Sequence, residues 1–403
     1  MIVSSPTGRQ PRFADFPREE YVARVRRARA LMASAGLDAL VVTGKENVIY
    51  YTGLLTIGWI SKHRPLGAII AHDHDAPLMI VPESLLSVAE ESSWIDEVRP
   101  WGGVKVPGAP ADPIDAFLAG MRELGLTRGR IGMELGYGQR IGMPQADVDA
   151  FRAALSDATL VDASGVLWAQ RMVKSPLEIE AIRRACAATT RAFEVGFGAL
   201  REGMTERELA GIMLRELAST NYPPGFIMVR SGVEKYRMIN VEPFDKPMRR
   251  GDLVIVDAGA TYRSYWSDYM RMACIGEPTP EQRRFFAADL ASQSAGVAAV
   301  RAGVQAGAIF QACQNAIEAH GLSEHAALER IGHGVGLDVH EPPSLARGST
   351  TVIEEGMVLT VEPIFWDQPH GRIGNFALED VLVVTKDGHE VLSRFPKDLY
   401  VVA

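Results

Sequence analysis

The sequence predicts an α/β protein, of the α+β kind, that is built from two domains. A chain of 403 residues suggests two domains, and a hydrophobic content of 47% is ample for a sizeable core. Short apolar runs that end in turn residues alternate with segments of helical periodicity, a pattern typical of α/β domains. We expect a first domain over residues 1–165 and a second over residues 166–403.

The first domain is predicted to begin with a helix and to continue with strands. Residues 18–36 carry apolar side chains at helical spacing and end in Gly36, a residue suited to a helix C-cap. The strand candidates that follow are LDALVVTG, GAIIAH, APLMIVPE, GRIGMELG and ATLVDASG. The polar run HDHD at residues 72–75 separates two of these strands, so it indicates a turn rather than a metal cluster.

The second domain contains three helix starts with the same capping chemistry. In each, a Ser or Thr precedes the helix, and a Glu or Gln three residues later completes a capping box. The pairs are Ser175 with Glu178, Thr205 with Glu208, and Thr279 with Gln282. We expect these helices to alternate with strands.

Charged side chains interrupt the strand-like apolar runs of the second domain. They are Asp257 in GDLVIVDAGATY, Asp268 in YWSDYMRMACI, His333 in IGHGVGLDVHEPP, Glu362 in MVLTVEPIF and Glu379 in ALEDVLVVT. A buried carboxylate must pair with a cation or be neutralised. Two strands around a short turn could bring Asp257 and Asp268 to one pocket.

These five residues have the donor atoms of a hard-cation site. A lone acid in a strand is usually an edge residue or half of an ion pair, but four acids and one histidine favour metal ligands. Oxygen ligands with a single imidazole suit Mn, Fe, Co or Zn, and carboxylates can bridge two ions. The three cysteines have no CxxC spacing, which argues against a thiolate site.

The order and spacing of these motifs resemble those of the "pita-bread" metallopeptidase family, which includes prolidase, aminopeptidase P, methionine aminopeptidase and creatinase. The motifs are DAG, eight residues and Asp, then GHGVGLDVHE, VEP and ED. QRMVKSPLEIEAIRRACAATTRAF also resembles the segment that opens the family's catalytic domain. The resemblance is strongest over residues 165–403. It implies a creatinase-like N-terminal α/β domain followed by a C-terminal pita-bread catalytic domain.

The resemblance also implies the role of each site residue. Asp257 would chelate the first ion, Asp268 and Glu379 would bridge both ions, and His333 and Glu362 would complete the second site. Glu362 would in addition handle the proton of the attacking water. His340, seven residues after His333, matches a family histidine that contacts substrate. The expected cofactors are two divalent metal ions, with manganese first and Fe, Co or Zn as alternatives.

Two positions depart from the family pattern. The peptidases and creatinase carry a histidine seventeen residues before the first metal aspartate, where this chain has Asn240. An amide can hydrogen-bond a substrate carbonyl but cannot titrate near neutral pH. Two residues before Glu379, the proline-specific members usually have Arg, and this chain has Ala377. Both changes argue against ordinary Xaa-Pro specificity.

The implied activity is hydrolysis of a C–N bond in a dipeptide or small molecule by a Xaa-Pro peptidase-like enzyme. An amidine hydrolase of the creatinase type, or a metal-dependent lyase, is the alternative because a fold does not determine a function. A non-catalytic binding protein is a third hypothesis, but binding alone gives no reason to keep four buried acids. The resemblance further implies a homodimer in which loop 60–64, with Arg64, contacts the partner's substrate.

Composition excludes several other classes. A net charge of −8 at pH 7 argues against nucleic-acid binding, which needs a basic surface. No apolar run approaches the roughly 18 residues of a membrane span, and the N-terminus does not resemble a signal peptide. Three cysteines without a pairing pattern are typical of a reducing compartment. We therefore expect a cytoplasmic protein with no membrane partner.

Overall fold

A computed structural model of the protein describes residues 10–61, 64–219, 225–325, 329–366 and 372–403. It divides into two units, Met1–Arg171 and Met172–Ala403. The predicted domain boundary at residues 165 and 166 lies inside the helix Ser164–Arg171, and the boundary stays a prediction. Lys62 and His63 of loop 60–64 lie outside the described residues.

The first unit has a mixed sheet with helices. Its described helices are α1 (Arg18–Ala35), α2 (Lys45–Thr52), α3 (Leu86–Ser92), α4 (Pro113–Glu123), α5 (Gln145–Ala154) and α6 (Ser164–Arg171). Its described strands are β1 (Ala39–Val42), β2 (Gly67–Ala71), β3 (Leu78–Pro82), β4 (Val98–Trp101), β5 (Gly129–Met133) and β6 (Ala158–Asp162). The strand order is β4-β3-β2-β1-β5-β6.

Two local predictions for the first unit, a helix C-cap and a turn, agree with the structure. Gly36 ends α1 in the left-handed conformation, where its lack of a Cβ removes the steric cost, so this C-cap is confirmed. The antiparallel pair β2 and β3 is joined through residues 72–77, which confirms that HDHD belongs to a turn. The unit's apolar core includes Val41, Ile69 and Phe117, all fully buried.

The second unit has two larger sheets and four long helices among its described residues. The helices are α7 (Pro176–Ala199), α8 (Glu206–Ala218), α9 (Pro280–Ala299) and α10 (Ala306–Ala319). The first group of strands is β7 (Phe226–Ser231), β8 (Leu253–Gly259), β9 (Thr261–Tyr262), β10 (Tyr265–Trp266) and β11 (Tyr269–Ile275). The second group is β12 (Arg330–Gly334), β13 (Glu341–Ala346), β14 (Val358–Val361), β15 (Ile364–Trp366), β16 (Asn375–Ala377), β17 (Asp380–Thr385), β18 (Gly388–Val391) and β19 (Tyr400–Val402).

The two larger sheets of this unit carry the charged strand positions. One has the order β19-β11-β8-β7 and the other the order β13-β12-β14-β17-β18, with β15 and β16 forming a separate pair. The main-chain N–H of Glu379 donates to the carbonyl of Met270 at 3.3 Å. This bond links the segment between β16 and β17 to β11, so the acids of both sheets come close together.

All three predicted capping boxes of the second unit are present, at the starts of α7, α8 and α9. In each box the cap hydroxyl accepts a hydrogen bond from the main-chain N–H three residues later. The Glu or Gln side chain at that later position accepts one from the main-chain N–H of the cap residue, so two otherwise unpaired donors are satisfied. None of the helices in the described residues combines the length and apolar character that a membrane span requires.

Candidate metal centre

Two of the acids belong to the neighbouring strands β8 and β11: Asp257 lies on β8, and Asp268 immediately precedes β11. The strands are antiparallel, with Asp257 directly opposite Met270. Asp268 lies two residues before Met270, so alternation along a strand places both aspartates on the same face of the pair. The apolar residues before Asp257 are fully buried, as the sequence predicts.

The other three predicted ligands come from the second sheet. His333 lies on β12, Glu362 immediately follows β14, and Glu379 immediately precedes β17. Because Val361 of β14 pairs with Asp380 of β17, continuing this register by one residue sets Glu362 opposite Glu379. The N–H of Glu362 also donates to the carbonyl of Ile331 at 2.8 Å, which ties the acid to the strand of His333.

The five side chains converge on one buried cluster. Ligand atoms of Asp257, Asp268 and Glu379 lie within 4.8 Å of one another, and so do those of His333, Glu362 and Glu379. His333 Nε2 lies 3.3 Å from Glu362 Oε1 and 3.6 Å from Asp268 Oδ2. Its Nδ1 lies 2.9 Å from the carbonyl oxygen of Gly334, which can only accept. The proton therefore resides on Nδ1, and Nε2 is the nitrogen that can coordinate a metal.

Several side-chain atoms of the cluster that could ligate a metal lack a hydrogen-bond partner within the described residues. They are Asp257 Oδ1, Asp268 Oδ1, His333 Nε2 and both carboxylate oxygens of Glu379. Buried polar atoms are almost always paired, because leaving one unpaired costs free energy. Divalent cations bind carboxylate oxygens and imidazole nitrogens. The four acids and His333 supply these atoms, so the residues fit metal ligation.

The acids also influence each other's protonation. Burial, followed by the charge of Glu362, raises the pKa of Asp257 to about 6. Burial, followed by neighbouring acids, raises the pKa values of Asp268 and Glu379 well above their usual range. Burial also acts to raise the pKa of Glu362, but the His333 imidazole 3.3 Å away and the charge of Arg330 more than offset it, so this pKa is lowered. A divalent cation would relieve the repulsion among these carboxylates.

A pocket of about 450 Å³ opens beside the cluster. Its lining includes the acids Asp257, Asp268 and Glu362, together with Phe226, Met228, Arg230, Ile239, Asn240, Trp266, Met270, Arg330, Val339, His340 and Ile364. A volume of this size is typical of small-molecule sites, which measure roughly 300–1,000 Å³. The wall combines apolar surface with two guanidinium groups.

His340 and Asn240 both line this pocket. The rings of His340 and His333 meet edge to face, with centroids 4.2 Å apart. Partial burial of the imidazole, followed by the nearby His333, lowers the pKa of His340 to about 4, so its ring is neutral at pH 7. Asn240 has a φ of 55°, a left-handed conformation that asparagine tolerates better than most residues.

Ala377 and Arg64 are the other two positions that the sequence singles out. Ala377 is fully buried on β16 opposite Ile364. Arg64 belongs to the first unit, where its Nη1 lies 3.4 Å from Ser84 Oγ, and its role as a substrate contact stays a prediction.

The two arginines in the pocket were missed by the sequence reasoning. Arg230 directly follows the apolar run FIMV of β7, as Asp257 directly follows its own apolar run, so it met the same criterion that selected the acids. Arg330 lies three residues before His333 and carried no such signal, because it stands at the exposed start of its strand.

The fold and the cluster together define the class of a metal-dependent hydrolase. The family model described as metallopeptidase family M24 matches residues 180–386, which is more than half of the chain. The model described as the creatinase/prolidase N-terminal domain matches residues 24–173. The chain belongs to metallopeptidase family M24. The predicted family, enzyme class and two-domain fold are confirmed.

Relatives match along nearly the whole chain. A putative dipeptidase, YkvY, from Bacillus subtilis is 27% identical over 94% of this chain and 99% of its own length. Among solved structures, the dipeptidase PepE from Mycobacterium ulcerans is 29% identical with a TM-score of 0.82, covering 96% of this chain and 99% of its own. The Xaa-Pro dipeptidase from Bacillus anthracis is 26% identical with the same TM-score of 0.82, covering 95% and 100%.

These comparisons decide between the hypotheses drawn from the sequence. Membership of a metallopeptidase family supports a hydrolase and implies divalent metal ions. It does not favour the amidine hydrolase, the lyase or the non-catalytic binding protein.

Proposed function

We propose that the protein is a dipeptidase that hydrolyses the amide bond of a dipeptide or similar small amide with two divalent metal ions. The observation that carries the proposal is the buried cluster of unpaired carboxylate and imidazole atoms beside a pocket of about 450 Å³. The full-length similarity to proteins described as dipeptidases supports the substrate class.

Each cluster residue has an assigned role in holding the ions. Asp257 would hold the first ion, Asp268 and Glu379 would serve both ions, and His333 and Glu362 would hold the second. Manganese is the first expectation for this donor set, with Fe, Co and Zn as alternatives. When bound, such ions lower the pKa of a water molecule toward ~7 and polarise the scissile carbonyl group.

The chain's own residues position the substrate and move protons. Glu362 takes the proton of the attacking water and returns it to the leaving nitrogen, a task that suits a carboxylate whose lowered pKa keeps it ionised. His340, neutral at pH 7, donates a hydrogen bond to the oxygen that becomes negative as water adds. Asn240 orients the substrate carbonyl through its amide N–H.

The test combines metal content with turnover of a dipeptide panel. The wild-type protein should bind about two ions per chain and cleave dipeptides, whereas Glu362→Gln should lose about 100-fold or more in kcat. Glu355→Gln, at an exposed acid nearby in sequence, is the matched control and should keep full activity. Undiminished turnover in metal-free protein, or no cleavage of any dipeptide by loaded protein, would contradict the proposal.

The proposal also includes a cytoplasmic homodimer in which Arg64 of one subunit contacts the substrate bound to the other. Mixing Arg64→Ala with Glu362→Ala subunits should then restore part of the activity, because each mixed dimer contains one intact site. Exchange of subunits without any recovery would count against this arrangement.

A further inference from the structure

Arg230 presents a buried guanidinium to the pocket. On β7, Met228 pairs with Asp257 and Arg230 pairs with Ile255, so Arg230 shares the face of β7 that borders the metal cluster. The residue is 1% exposed and lines the pocket with Phe226 and Met228.

The hydrogen-bond partners of this guanidinium among the described residues are neutral. Its Nη1 donates to the carbonyl of Met238 at 3.0 Å, and its Nη2 lies 3.5 Å from Asn375 Oδ1. Its Nε is buried and donates to no acceptor in the described part of the chain. The guanidinium therefore keeps donor capacity that the described residues do not use.

The charge of Arg230 is similarly uncompensated. No carboxylate of the described residues lies within ion-pair distance of it, although Asp257 is close enough to act through its charge. Burial lowers the pKa of Arg230 to about 10, so the group still carries its charge at pH 7. A buried cation is costly unless an anion pairs with it, and the charge of Asp257 is shared with the ions once they are bound.

We propose that Arg230 binds the free carboxylate of the substrate and thereby makes the site selective for dipeptides with an unblocked C-terminus. The inference rests on the proposed function, because it assigns the substrate group that the pocket recognises. A guanidinium offers parallel N–H donors that match a carboxylate, and hydrogen bonds between charged groups are the strong ones. Phe226 and Met228 flank the same wall with apolar surface and exclude water around the pair.

Arg330 is the competing candidate in the same pocket. It is exposed, so water can solvate its charge and no bound anion is required. Truncating the side chain of each arginine therefore distinguishes the two candidates. Arg230→Met should remove the preference for a carboxylate, whereas Arg330→Met should weaken it less.

The experiment measures binding by calorimetry with the metal-loaded protein and two probes, L-proline and L-prolinamide. Wild-type protein should bind L-proline at least about tenfold more tightly, the size expected of one charge-assisted contact. Arg230→Met should bind both with similar affinity, and Arg230→Lys should recover part of the difference. Arg215→Met, at an exposed arginine on α8, is the matched control and should behave as wild type.

Metal content and melting temperature are measured for each variant. Equal affinity of the two probes for wild-type protein, or a preference abolished only by Arg330→Met, would overturn the inference. So would a loss of bound metal in Arg230→Met that accounts for the weaker binding, because Arg230 would then act through Asp257. Because no turnover is needed, a protein that prefers L-proline but cleaves no dipeptide would refute the proposed function and leave the carboxylate site supported.

Discussion

Arg271 is a buried arginine of β11 whose guanidinium contacts the main chain of Glu379. Its removal is expected to lower both the stability of the protein and its affinity for metal. Its Nη1 donates to the carbonyl oxygens of Met270 at 2.8 Å and Glu379 at 2.5 Å, and its Nη2 donates to Asp380 Oδ1 at 2.8 Å. The side chains of Arg271 and Asp380 are each 1% exposed. The guanidinium thus holds the main chain of a predicted metal ligand.

The expected cost of Arg271→Met follows from these contacts. Removing one partner of a buried ion pair typically costs about 3–5 kcal/mol, because the other charge is left unpaired. Asp380 keeps Lys397 at 3.1 Å, Ser393 at 2.6 Å and Gln293 at 2.9 Å, so we expect the lower end of that range. The free energy of unfolding should therefore fall by about 3 kcal/mol.

The same variant should weaken metal binding. Removing a residue that orients a metal ligand typically lowers metal affinity by roughly 10- to 100-fold. In this variant the main-chain carbonyl of Glu379 loses the guanidinium donor that holds it in place. Urea unfolding followed by circular dichroism measures the first effect, and a metal titration by calorimetry measures the second. In Arg271→Met/Asp380→Asn the buried carboxylate that lost Arg271 is gone, so part of the stability should return while metal affinity stays low.

Arg284→Met, at an exposed arginine on α9, is the matched control and should change the free energy of unfolding by less than about 0.5 kcal/mol. The reasoning is refuted if Arg271→Met unfolds within about 1 kcal/mol of wild type and binds metal with unchanged affinity. Retained stability with weaker metal binding would refute the buried-pair argument alone.

Three further predictions follow from the site and the core. Chelation should lower the melting temperature, and manganese at about 100 times its Kd should restore ~2.7 kcal/mol of stability; an identical melting curve with and without metal would rule out native-state binding. Asn240→His should raise turnover of Gly-Pro at least about tenfold, because acid–base assistance is worth roughly 100- to 10,000-fold, and no gain would mean that the amide suffices. Burial raises the pKa of Cys274 to about 11 and that of Cys313 to about 12. Both thiols should therefore stay protonated at pH 8 and resist a thiol reagent until the protein unfolds. Fast labelling of the native protein would contradict their burial.

The sequence by itself determined the local elements and the identity of the charged positions. Capping boxes at Ser175, Thr205 and Thr279 predict helix starts because the cap and its partner lie only three residues apart. The acids could be selected because a charge inside an apolar run must be compensated wherever the strand is placed. That argument requires no knowledge of which strands are neighbours.

Only the tertiary structure decided which charges meet and which buried charge lacks an ion-pair partner among the described residues. Glu362 faces Glu379 because β14 pairs with β17 in one register, and shifting it by one residue would turn either side chain to the other face. The same applies to Arg230, whose place beside Asp257 follows from the pairing of β7 with β8. Whether its Nε finds an acceptor among the described residues depends on all the surrounding strands together, and sequence spacing carries no information about such long-range pairing.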